Sequence, residues 1–124
     1  MPILADTSVW IDHFRRTDDR LGALLARRAV LLHPFVLGEL ALGSHIKFRK
    51  VVDDLSDLPR ATLPDHDEVL EFILHSRLSG SGIGYVDAHL LASTLLTPDT
   101  RLWTRDKKLL AVAERLKIAA GEAG

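Results

Sequence analysis

The chain has no cysteine among its 124 residues. That excludes disulfides and thiolate metal centres, and it fits a reducing, cytoplasmic compartment. It has almost no net charge: 16 Lys and Arg against 17 Asp and Glu leave −1. A protein that coats nucleic acid by bulk charge is therefore excluded, whereas an enzyme that guides a strand with a few local cations is not. No apolar stretch approaches the roughly 20 residues that span a bilayer, so no membrane association is expected. The opening Met-Pro-Ile-Leu-Ala-Asp lacks the basic region and cleavage site of a signal peptide. No Pro/Gly/Ser linker and no internal repeat divides the chain, so residues 1–124 read as one domain. G-x-S-x-G, P-loop and G-x-G-x-x-G patterns are all missing. Six histidines, His13, His33, His45, His66, His75 and His89, include no HExxH pair, which leaves little basis for a zinc site.

What is present is a regular alternation of short apolar runs and amphipathic stretches. Residues 2–5 form a buried run, predicted to be a strand. Thr7 or Ser8 can cap a helix over 9–15, and a second helix is expected over 21–28. Strand 29–32 precedes a helix from Pro34 to about Leu42, with Pro at its first turn and Gly43 at its end. A basic helix follows over 46–55. Strand 61–63, a helix from about Asp65 to Leu78, a helix over 85–96, strand 101–104, helix 107–115 and a last strand over 117–120 complete the pattern. Such alternation predicts a three-layer α/β/α sandwich around a mainly parallel sheet. In such sheets ligands bind at the carboxyl ends of the strands.

Four acids stand out against this frame. Asp6 closes the run Ile3-Leu4-Ala5, and Asp106 follows Leu102-Trp-Thr-Arg, so both fall just after predicted strands. Asp87 lies in Tyr85-Val-Asp-Ala-His-Leu-Leu-Ala, and Glu39 is the single charge in residues 34–43. Asp6 and Asp106 taken singly read equally well as helix caps, and Asp87 as a first-turn acid. Glu39 resists such a reading: its helix is apolar on every side and should be buried, and a buried Glu needs a partner. Four gathered carboxylates raise one another's pKa values, and a hard divalent cation, Mg2+ or Mn2+, relieves that repulsion. Such an ion can clamp a phosphodiester and activate water for in-line attack. Thr104, two residues before Asp106, reads as an ordinary strand residue or as a hydrogen-bond donor to a carboxylate or phosphate. The basic groups at Arg15-Arg16, Arg27-Arg28, 47–50 and Arg105 to Lys108 read as solvated helix faces or as guides for a strand. The apolar face Trp10, Ile11 and Phe14 reads as core, or as part of an interface.

The four contexts, in order and together, resemble the four motifs of PIN-domain proteins, most closely the VapC-type toxins of toxin–antitoxin pairs. Ile-Leu-Ala-Asp6-Thr-Ser-Val-Trp resembles the first, Val36-Leu-Gly-Glu39-Leu-Ala the second, Tyr85-Val-Asp87-Ala-His the third and Trp103-Thr-Arg-Asp106-Lys-Lys the fourth. The resemblance implies the PIN fold and a magnesium- or manganese-dependent endoribonuclease. It carries Asp6, Glu39, Asp87 and Asp106 over as the catalytic, metal-holding acids. It also implies an RNA substrate, a homodimer and a VapB-like antitoxin that blocks the site.

Two rival readings use the same acids. A phosphoacceptor receiver domain also gathers acids around magnesium, but it pairs two adjacent acids early in the chain, and Asp6 has no acidic neighbour. A pure binding module would use the acids only to receive basic residues of a partner.

Overall fold

A computed structural model of the chain describes residues 1–43 and 48–121. The first strand, β1 (Ile3–Ala5), is wholly buried. It leads into α1 (Thr7–Arg15), whose N-terminus is capped by the Asp6 carboxylate rather than by Thr7 or Ser8. Helix α2 (Asp19–Ala26) is capped by Asp18 and ends as Arg28 turns to φ 55°. Strand β2 (Val30–Leu31), α3 (Pro34–Ala41) and α4 (Phe48–Leu55) follow. Ile46 and Lys47, expected to open α4, lie outside the described residues, as does His45.

Helix α5 (His66–His75) begins with a capping box in which Asp65 and Glu68 each accept the other's backbone amide. Helix α6 (Tyr85–Leu96) buries every residue from Ala88 to Thr94 and is the central helix of the packing. Strand β3 (Arg101–Trp103) and α7 (Lys107–Arg115), capped by Asp106, complete the order.

The sheet runs β2-β1-β3, all parallel, with Leu4 level with Leu31 on one side and Leu102 on the other. With its helices it forms the expected α/β/α arrangement. Two further strands expected from the sequence shrink to single parallel bridges, Leu32 with Arg60 and Leu102 with Ala119. Each has a local cause. The Ala61 amide still bonds the Leu32 carbonyl, but the Thr62 amide donates to the Thr97 hydroxyl at 2.9 Å, so the chain leaves the sheet after Ala61. Lys117 takes φ 63° and bonds back to Glu114, so the end of α7 takes up the start of 117–120.

The core is built of Leu4, Val9, Trp10, Leu21, Val30, Leu40, Leu90, Leu91, Leu102 and Leu109, among others, all at or below 1% exposure. Trp10 belongs to this core, and stacks on the half-exposed Phe14 with ring centroids 5.8 Å apart.

The order β2-β1-β3 matters for function. The chain leaves β1 for β2 on one side and later returns to β3 on the other. Strand β1 is thus the point where the connections diverge, and a crevice opens outside its carboxyl end. Asp6 stands at that end, and Thr104 and Asp106 stand just beyond β3.

Candidate active site

Asp6 is 6% exposed. One carboxylate oxygen, Oδ1, accepts from the Ser8 amide at 2.9 Å, from the Val9 amide at 3.4 Å and from the Ser8 hydroxyl. The other, Oδ2, accepts from the Thr104 hydroxyl. Burial pushes the Asp6 carboxyl above the usual carboxylate range, and those hydroxyl and amide bonds pull the other way. An acid engaged on both oxygens by four donors is pre-oriented, and a cation beside it would offset the cost of burying its charge.

Thr104 is buried, and its oxygen also accepts from the Asp106 amide at 3.0 Å. It therefore ties the first acid to the backbone of the fourth, which answers for the carboxylate-bonding alternative of the sequence reading. Ser8 works in parallel: it donates to Asp6 and accepts from the Arg105 amide at 3.1 Å. Asp106 itself accepts from Leu109 at 2.9 Å. The capping role of Asp6 and Asp106 is real and coexists with their place in the crevice, because one carboxylate has lone pairs for both.

Asp87 lies in the first turn of α6, half-buried. Burial is the first cause that raises its pKa, and the charges of Asp106, Asp6 and Glu39 raise it further, against a hydrogen bond from the Gly84 backbone. The other three acids are thus all within electrostatic reach of Asp87. They do not close around a single point: among the described residues, no three His, Asp or Glu side chains form a ready-made cage. The oxygen-only donors and the open arrangement suit magnesium or manganese, which keeps several waters and takes one or two carboxylates.

Glu39 departs from expectation. It is exposed, because α3 buries only Val36 and Leu40 and leaves Pro34, Phe35 and Gly38 at the surface. Its apolar neighbours reflect a helix lying at the surface rather than inside. The partner it needs is Thr7, whose hydroxyl donates to Glu39 Oε1 at 2.6 Å.

The hydroxyls of Thr7 and Ser8 are site residues that sequence reasoning treated only as helix caps. The available signal was their position immediately after a strand-terminal Asp. His89 points away from the acids, as a residue two positions from Asp87 on a helix must. Its Nδ1 meets His33 Nε2 at 2.9 Å, behind the crevice.

A PIN-domain family model matches residues 3–115. The chain belongs to the PIN-domain family. Within it, this PIN domain is 50% identical over 121 residues, 97% of both chains, to a protein named Ribonuclease VapC32 from Mycobacterium tuberculosis strain CDC 1551 / Oshkosh. The same figures hold for the protein of that name from strain ATCC 25618 / H37Rv. The PIN domain is therefore of the VapC type. Among its described residues no helix is long and apolar enough to cross a membrane.

Proposed function

We propose that residues 1–124 form a single domain that acts as the toxin of a toxin–antitoxin pair, cleaving RNA phosphodiesters in a magnesium- or manganese-dependent reaction. The observation that carries this reading is the influence of Asp6, Glu39 and Asp106 on Asp87, at the carboxyl end of a switch-point strand. The ribonuclease name of the half-identical relatives supports it.

Asp6 and Asp87 are the residues that would hold the ion. A divalent ion, when bound there, supplies charge neutralisation at the scissile phosphate and eases ionisation of the attacking water. Asp6 is the rigid ligand, fixed on both oxygens by Ser8, Val9 and Thr104. Glu39 has one oxygen engaged by Thr7 and the second without a donor among the described residues. That second oxygen would accept a hydrogen bond from water and take its proton. Asp106, held by its amide to Thr104, completes the negative wall. No side chain serves as a covalent nucleophile. Single-stranded or looped RNA suits so open a crevice.

Exposed apolar side chains on and beyond α3, with Phe35 at 39% and Leu42 at 88% exposure, supply surface for a second copy and for a VapB-like antitoxin. The protein then works in the cytoplasm, where its RNA is found.

The test is cleavage of RNA with added magnesium or manganese by the wild type and by Asp6→Asn. Metal-dependent cleavage abolished by the substitution is expected; equal cleavage by both proteins, or cleavage that survives EDTA, would overturn the reading.

A further inference from the structure

We infer that the groove between α7 and the loop over residues 79–84 is the track along which an RNA strand leaves the acidic crevice, with Lys107 and Lys108 holding its phosphates. This deepens the ribonuclease reading and rests on it. The groove has a volume of about 410 Å³ and is lined by Ser81, Lys107, Lys108, Ala111, Val112 and Arg115. It carries three cations and no carboxylate, in a chain whose net charge is −1. It starts one residue after Asp106 and runs along α7 for roughly 12 Å, from the rise per residue of a helix.

Lys108 is placed rather than waving. Its stem lies along the loop so closely that a Cβ on Gly82 would sit 2.9 Å from Cδ and 3.3 Å from Nζ. Gly82 adopts φ +85°, a backbone conformation that favours glycine there. Neither lysine has a carboxylate partner among the described residues. Arg115 is exposed and spends one guanidinium nitrogen on the Ser76 carbonyl at 2.9 Å.

The arginine that precedes Asp106 is committed elsewhere. Arg105 is forked between Asp12 at 2.9 Å and Asp18 at 2.8 Å. A phosphodiester brought up to four carboxylates needs compensating positive charge on the neighbouring phosphates, and these two lysines, next in sequence to Asp106, can supply it.

Binding of a short oligouridylate in EDTA, where no turnover occurs, reads the proposal directly. Each phosphate contact on a single strand contributes about 0.7 to the slope of log K against log salt. The double variant K107Q/K108Q should therefore lower that slope by about 1.4, and with magnesium present it should raise KM more than it lowers kcat. The control R49Q/K50Q, on the exposed start of α4, should leave the slope unchanged. Thermal melts confirm that both variants fold. RNA cleavage with an unaltered slope in K107Q/K108Q overturns the track and leaves the ribonuclease reading intact. So does a variant that binds RNA normally but loses affinity for polyglutamate, which would reassign the groove to an acidic polypeptide. A wild type that neither binds nor cleaves RNA overturns both.

Discussion

The Thr104 hydroxyl donates to Asp6 Oδ2 across a separation of 98 residues. This one bond joins the first motif to the fourth. It fixes the carboxylate that sits deepest in the site, and through the Asp106 amide it also fixes the approach to the most exposed part of the acidic wall.

Thr104→Val keeps the shape and removes the hydroxyl, leaving Asp6 Oδ2 and the Asp106 amide unpaired. Unmade bonds of this kind cost about 1–3 kcal/mol. Loss of an outer-shell partner of a metal ligand costs roughly 10–100-fold in metal affinity or activity. The expected outcome is a modest fall in the urea midpoint with a larger fall in RNA cleavage. Thr104→Ser should recover most of the cleavage. Full activity in Thr104→Val would remove Thr104 from the site.

Asp87 gives a prediction of opposite sign for stability. Its folded pKa is raised above the ordinary 3.8, with burial first and three acidic neighbours next. The folded protein therefore binds its proton more readily than the unfolded chain, and the ionised form at neutral pH is a cost to folding. Asp87→Asn should raise the melting temperature in EDTA. Millimolar magnesium should raise the wild-type melting temperature by mass action and do much less for the variant. Differential scanning fluorimetry with and without metal checks both, and a variant less stable than wild type in EDTA would contradict the account.

Behind the crevice, His33 predicts a dependence on pH. Its Nδ1 accepts from the Phe35 amide at 3.0 Å, so the proton sits on Nε2 and points at His89 Nδ1. Burial pushes the imidazole down from 6.5 to about 4, and the neighbouring His89 adds to that. A group whose proton is bound less well in the folded state stabilises fully above its unfolded pKa. That contribution is lost as pH falls from about 6.5 to about 4, where the folded site also protonates. Denaturation midpoints should fall across that window. His33→Asn keeps a cap for α3 without titrating there, and it should flatten that part of the profile.

Arg105 tests how much a surface ion pair matters here. Its fork to Asp12 and Asp18 is 40% exposed on the arginine side, and it lies 5.6 Å from the Trp103 ring centroid. Exposed pairs are worth about 0.2–1 kcal/mol each. Arg105→Ala should cost little at low salt, and the gap from wild type should narrow further in high salt. A large, salt-independent loss would mean that packing on Trp103, rather than charge, is the main contribution.

Most of the frame was legible in the sequence because periodicity and punctuation agree. Pro34, Asp65 and Asp106 mark helix starts, and the apolar run at Ile3 marks the central strand. The two marginal strands were not legible. Their fate turns on the Thr62–Thr97 bond and on the left-handed turn at Lys117, tertiary and local features that no alternation pattern encodes. The acids are legible as a set, yet Glu39 is exposed where its apolar neighbours predict burial. An apolar helix can lie at the surface, and what marks Glu39 is its Thr7 partner, 32 residues away. The roles of Ser8 and Thr104 become visible only when β1 and β3 lie side by side.

That adjacency sets an order in time. Strand β1 is synthesised well before β3, yet Ala5 pairs with Trp103. During translation β1 waits with one edge open, and Asp6 waits for Thr104. A ribosome stalled before Trp103 holds a product in which Asp6, Glu39 and Asp87 exist but the wall they belong to does not, so assembly of the acids waits for β3 to emerge.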